Sequence, residues 1–206
     1  MLQIDGPPAP ETLRRDQLAR RQRIVRTALR ALANSDYDQV KISDVARDSG
    51  VALGTLYRYF ASKEHLFAAA FVEWQGALKK KLEKERPRGE SEAERLRDVF
   101  HQTIRAFQLQ PQFYRVVMML NATTDAYAAD LYQSVTSQFH DTVQMALSGP
   151  FDTDHEAIFS TVNSVLDGSL RSWVMNRATI GDVYGNVDNA IRLIYEYCRQ
   201  EGMPSI

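Results

Sequence analysis

Ala46, Gly50 and Leu56 stand at spacings that let two short helices cross closely, turn sharply and lock together. Ala46 is small enough for the helices to approach, Gly50 accepts the left-handed backbone of a tight turn, and Leu56 points inward from the second helix. Ile42, Val45 and Val51 complete the buried side. The outer side of the second helix then carries Thr55, Tyr57, Arg58 and Tyr59, hydrogen-bonding and aromatic groups suited to phosphates and base edges. Lys63 adds a cation beside the start of the following helix, where backbone N–H groups favour a phosphate. The same spacing fits an ordinary αα-corner, so it leaves two readings open.

Enzymatic constellations are scarce. There is no G-x-S-x-G elbow, Walker A loop, G-x-G-x-x-G or H-E-x-x-H. Asp154, His155 and Glu156 bring three titratable groups together, but adjacent helical positions point in different directions. His65, His101 and His140 stand singly. One cysteine, Cys198, makes neither an intrachain disulfide nor a zinc site. No catalytic residue, metal or cofactor is expected.

The elements that must position these residues read as helices. Residues 1–13 hold three prolines without periodicity and read as a disordered lead-in. From Asp16 to Ala33, Leu18, Val25, Ala28, Leu29 and Leu32 follow helical spacing and arginines fill the other face. Short helices over Ile42–Ser49 and Gly54–Phe60 flank the Gly50 turn. A longer one runs from an N-cap at Ser62 to Lys84. Five more are expected at about 91–109, 112–121, 124–147, 153–177 and 183–200, punctuated by Pro111, Gly149-Pro150, Gly181 and Gly185. The fold class is all-α, with a candidate helix-turn-helix domain over residues 14–62 and a C-terminal helical domain over 63–206.

Charge separates the same two regions. Seven arginines and one acid lie between Arg14 and Arg30, although the 206-residue chain carries a net charge of only −1. A basic head on an acidic body suits a polyanionic partner, while arginines also simply solvate a helix face. With 44% apolar residues the chain can bury a core. Its longest apolar runs, 67–72 and 116–120, fall far short of the roughly 18 residues a membrane span needs. The N-terminus has no signal-peptide pattern, so a cytoplasmic protein with no membrane partner is expected.

The stretch Val40 to Leu66, VKISDVARDSGVALGTLYRYFASKEHL, resembles the DNA-binding domain of TetR-family transcriptional repressors, with their Gly-Val turn, TLYxYF-type recognition helix and Ser-Lys pair. The likeness covers about residues 20–71, and the family plan of about nine helices covers the rest. It implies a homodimer on a palindromic double-stranded operator, released by a small-molecule effector. The family's contacts carry over to Ser43, Leu53, Gly54, Thr55, Tyr57, Tyr59 and Lys63. Ser43 and Thr55 would lie near bases, and Tyr57, Tyr59 and Lys63 would hold phosphates. Ala52 and Leu53 depart from the common pattern, which puts the usual helix cap in doubt and suggests an apolar contact with a thymine methyl. Arginines 14, 15, 20, 21 and 23 would reach neighbouring phosphates or the minor groove. VALGTLYRYFASKEHL and SWVMNRATIGDVYGNVDNAIRLI are similar to actinobacterial repressors of ketosteroid and cholesterol catabolism. That likeness implies a sterol-derived or acyl-coenzyme A effector and operators near lipid-degradation genes.

Two surfaces follow in the C-terminal region. A cavity for an apolar effector would draw on Trp74, Phe100, Phe107, Phe113, Tyr114, Met118 and Tyr127, with Asn163 and Asp167 orienting one end. The family's four-helix dimer interface would fall on Ile158, Val162, Val165, Ser169 and Trp173 of one helix and Val187, Ile191 and Ile194 of the next. In both sets plain intrachain core is the competing reading. Gly168, in mid-helix, suggests a close backbone approach. Without DNA binding, the chain would be a helical ligand-binding protein or an enzyme.

Overall fold

Ile24, Val25, Ala28 and Leu32 recur at intervals of one, three and four residues, so one apolar stripe of the arginine-rich segment turns inward and is almost wholly buried. In the computed structural model, which describes residues 6–84, 87–147 and 153–200, that segment is helix α1, Arg15–Asn34. The first five residues of the lead-in, the Gly149-Pro150 turn and residues 201–206 lie outside the described residues. Of the lead-in, Pro10–Thr12 form a single exposed 3-10 turn.

Eight further helices follow among the described residues: α2 (Ile42–Asp48), α3 (Leu53–Tyr59), α4 (Lys63–Lys84), α5 (Glu92–Leu109), α6 (Gln112–Asn121), α7 (Ala126–Gln144), α8 (Thr153–Val174) and α9 (Ile180–Gln200). No strand is present among those residues. Several of the later starts are capped by side chains. Ser62 Oγ accepts the His65 N–H at 2.9 Å, and Ser91 and Glu94 close a reciprocal capping box at α5. Thr179 and Asp182 do the same at α9, so that helix begins earlier than the expected residue 183. α8 stops at Val174 rather than 177 because Asn176 takes a left-handed φ of 58° and the Arg177 N–H reaches back to the Ser172 carbonyl at 2.8 Å.

By packing, the chain forms two compact units. The first spans residues up to Gln75, past the division expected after residue 62, and adds Arg115–Val135. Its core includes Ile24, Leu32, Leu56, Phe60, Leu66 and Phe67, all buried. The second spans Gly76–Tyr114 and Thr136 onward. There α9 packs on α8 and on α5, burying Val183, Val187 and Ile191 with Ile158, Val162 and Leu166. Each such side chain contributes roughly 1.5–3 kcal/mol by leaving water.

Candidate nucleic-acid interface

The turn between α2 and α3 is built as its residue types require. Gly50 has φ +68°, the Val51 N–H donates to the Ala46 carbonyl at 3.0 Å, and Leu56 and Ala46 are buried. Ile42 and Val51 close the inner side half-buried. Ser49 is buried too, its hydroxyl donating to the Ala46 carbonyl, and Arg23 of α1 donates from Nε to the Ser49 carbonyl at 2.8 Å. The turn is therefore held from α1 as well as by its own helices.

That support turns one side of α3 outward. Leu53 is 43% exposed and Tyr57 48%, Gly54 and Arg58 are exposed, and Thr55 is half-buried. A Cβ placed on Gly54 would meet nothing within 4 Å, so the helix start is open to close approach. Ser43 is exposed on α2, and so is Lys41 at its N-cap position, a cation beside Ser43 that residue type alone did not single out.

Two expected contacts are placed differently. Tyr59 is only 6% exposed, against the outward position expected of it. It lies three residues after Leu56 and so shares the inward stripe with Leu56 and Phe60. Lys63 is half-buried, and its Nζ donates to the Tyr37 carbonyl at 2.7 Å while sitting 4.3 Å from the centre of the Tyr37 ring. Burial lowers its pKa, opposed by Asp38 and Glu64. Among the arginines, Arg14 and Arg15 are exposed and Arg20 is half-buried. Arg21 instead lies over the Phe60 ring at 5.0 Å, its pKa lowered by burial, and Arg23 braces the turn. Arg21 is half-buried against the end of α3, whereas Arg23 stays exposed while its Nε is tied to the turn.

His65, in the first turn of α4, is 7% exposed and stacks on Tyr127 at 5.3 Å with Phe60 edge-on. Its Nδ1 accepts the Ala61 N–H at 3.2 Å. Burial, then the Arg21 charge, push its pKa down to about 4, so it is neutral at neutral pH.

The residues expected to hold an effector divide between the two units. Phe100, Phe107, Phe113 and Tyr114 are buried in the second, where Phe107 meets Tyr114 edge-on and Phe100 meets Phe139 likewise. Phe139, which sequence reasoning left out, belongs to this aromatic group. Asn163 is half-buried on α8. Asp167 already accepts the Tyr114 hydroxyl at 2.7 Å and Arg171 Nη2 at 2.8 Å, so its carboxylate is engaged within the chain. Trp74, stacked on Phe71, and Met118 are half-buried in the first unit, and Tyr127 there is exposed. A groove of about 480 Å³ in the first unit runs between the end of α1 and α2 and is polar, lined among others by Arg30, Asn34, Gln39, Lys41 and Asp44.

The expected dimer residues divide by helix face. Ile158, Val162, Ser169, Val187 and Ile191 are buried within the chain, because this i, i+4 stripe is the one by which α8 and α9 pack on each other and on α5. As partner contacts these five are corrected to core. Val165, Trp173 and Ile194 are half-buried. The opposite face of α9 exposes Leu193 at 57% and Tyr197 at 58%. A Cβ on Gly168 or Gly185 meets nothing within 4 Å among the described residues.

The titratable triplet of α8 does not converge. His155 is buried beside Glu92 at 3.4 Å, while exposed Glu156 accepts from His140 at 2.9 Å. Among the described residues no three His, Cys, Asp or Glu gather as metal ligands, and no helix is long and apolar enough to cross a membrane.

Comparison with known proteins agrees with this geometry. Residues 24–70 match the family described as "Bacterial regulatory proteins, tetR family", and residues 89–194 match "Tetracyclin repressor-like, C-terminal domain". The HTH-type transcriptional repressor KstR of Mycolicibacterium smegmatis is 30% identical over 179 residues, 86% of this chain and 88% of that one. The fold is similar to a TetR transcriptional regulator from Rhodococcus sp. RHA1, at TM-score 0.75 and 24% identity over 87% of this chain and 97% of that one. It is also similar to the transcriptional regulator FadR of Bacillus subtilis in complex with stearoyl-CoA, at TM-score 0.62 and 18% identity over 84% and 96% of the two chains.

Proposed function

Because the chain belongs to the TetR family of bacterial regulatory proteins and is a DNA-binding regulator rather than an enzyme, we propose that it is a homodimeric repressor of a palindromic operator, released by a largely apolar effector. The observation that carries this reading is the outer side of α3, where Leu53, Gly54, Tyr57 and Arg58 stand open while Leu56, Tyr59 and Phe60 anchor the helix from behind. A seven-residue helix presenting no acid outward is suited to the major groove. Thr55 and Ser43 are assigned to base edges, Leu53 to a thymine methyl, and Tyr57, Arg58 and Lys63 to phosphates.

Each half-site takes one recognition helix, and half-sites lie roughly 34 Å or a multiple apart, so two subunits must be held together. The outer faces of α8 and α9, with Gly168, Gly185, Leu193 and Tyr197, are assigned to that contact. The effector is assigned to the class of sterol-derived or fatty acyl-coenzyme A molecules. Support comes from the sequence likeness to KstR and from the stearoyl-CoA held by the Bacillus subtilis neighbour. Phe100, Phe107, Phe113, Tyr114 and Asn163 of the second unit are the residues proposed to meet it. α4, which begins in the first unit and ends in the second, is the element proposed to shift when effector binds. A 100-fold loss of operator affinity corresponds to about 2.7 kcal/mol of coupling.

The test is selection of genomic DNA fragments by the purified protein at near-physiological salt. Enrichment of one palindrome whose binding weakens with added acyl-coenzyme A supports the reading. Failure to enrich any sequence after bound ligand is stripped overturns it.

A further inference from the structure

Tyr37 lies between α1 and α2, far in sequence from the recognition helix, yet three contacts join it to the start of α4. Its carbonyl accepts Lys63 Nζ at 2.7 Å, its ring lies 4.3 Å beneath the same ammonium, and its hydroxyl donates to Glu64 Oε1 at 3.3 Å. The ring is itself fixed edge-on against buried Phe67 at 5.2 Å. A lysine on a free stem samples many rotamers and loses them on meeting a phosphate. Here the stem is already folded over an aromatic face, an arrangement attractive in its own right.

We propose that Tyr37 is a positioning residue for operator binding, holding the Lys63 ammonium at the first turn of α4 with donors left for a phosphate. The inference rests on the DNA-binding reading above and deepens it by naming a residue outside the crossing helices α2 and α3. The ammonium keeps three donors, of which the Tyr37 carbonyl takes one. Its neighbours are the Tyr37 carbonyl, the Tyr37 and Phe67 rings and the charges of Asp38 and Glu64, of which Glu64 is engaged by the tyrosine hydroxyl. Partial burial lowers the ammonium pKa and strips some of its water, so its pull on an incoming phosphate is less screened than that of a surface lysine.

The test is a double-mutant cycle on the selected operator duplex, reading affinity against KCl concentration, with folding checked by thermal melts. Lys63→Ala is expected to reduce the salt slope by about 0.9, one phosphate contact. Tyr37→Leu removes the ring, and is expected to lower affinity about three- to tenfold, with the slope moving toward that of Lys63→Ala and sequence preference unchanged. Tyr37→Phe retains ring and carbonyl and is expected to keep the wild-type slope. In the Lys63→Ala background, Tyr37→Leu is expected to have no further effect. Tyr37→Gln takes the same place in the cycle should the leucine variant not fold. Additive losses, or an unchanged slope in Lys63→Ala, overturn the positioning role while leaving DNA binding intact. Absence of salt-dependent binding by the wild type overturns both.

Discussion

Acidification is expected to weaken the DNA-binding unit through His65, by an amount its burial allows to be worked out. The imidazole is 7% exposed, stacked on Tyr127, and its Nδ1 already accepts the Ala61 N–H. Burial first and Arg21 second lower its pKa from 6.5 to about 4. The unfolded chain therefore takes up a proton below pH 6.5, and the folded chain does so only near pH 4. Stability is fully present above pH 6.5 and declines as pH falls from there toward 4. Across that whole window the loss approaches about 3 kcal/mol, and about 2 kcal/mol of it falls between pH 7.5 and 5. The assay is urea unfolding at fixed protein concentration at pH 7.5 and 5, comparing wild type with His65→Asn. Asparagine keeps an acceptor near the Nδ1 position and cannot gain a proton in this range. The wild type should lose about 2 kcal/mol more than the variant over those two pH values. Equal losses in both proteins, or an imidazole that titrates above pH 6 by NMR, would refute the reasoning.

Gly50→Ala meets no atom within 4 Å, so its cost is the left-handed backbone alone, about 1–2 kcal/mol in a thermal or urea melt, and a larger loss would point to a contact not accounted for. Leu56→Ala, at a fully buried site, should cost about 2–5 kcal/mol and abolish operator binding at temperatures where the wild type binds. Thr55→Ala should relax sequence preference at one base position in a binding-site selection, whereas an equal loss on all sequences would contradict base reading. Leu193→Asp should shift the protein toward monomer in analytical ultracentrifugation while leaving the helical content intact; an unchanged dimer would remove the outer face of α9 from the interface.

Helices were legible because apolar residues at 3.6-residue spacing outnumber turn signals. Every expected helix is present, with ends moved by a few residues. The displaced ends have local causes. Thr179-x-x-Asp182 is a capping box readable in the sequence, and Asn176 is a residue type that tolerates the left-handed turn closing α8. Tyr59 was also readable, since its distance of three residues from Leu56 puts both on one stripe. Lys63 was not, because its partner Tyr37 is 26 residues away and only packing brings that carbonyl under the ammonium.

What the sequence by itself determined is the fold class, the helix-turn-helix and the residues able to do its chemistry. These depend on local periodicity, on Gly50 and on side-chain types within one or two turns. Tertiary structure decided which face of each helix is spent inside the chain. α8 and α9 each carry apolar side chains on more than one face, and periodicity cannot say which stripe meets a neighbouring helix. Packing assigned Ile158, Val162, Val187 and Ile191 to the core and left Leu193 and Tyr197 outside. In α1 it laid Arg21 over the Phe60 ring and tied Arg23 Nε to the turn, and left Arg14 and Arg15 without such a contact to α3 or the turn. The physical reason is common to both cases: burial depends on contacts distant in sequence, and identical side chains exchange roles when a different neighbour covers them.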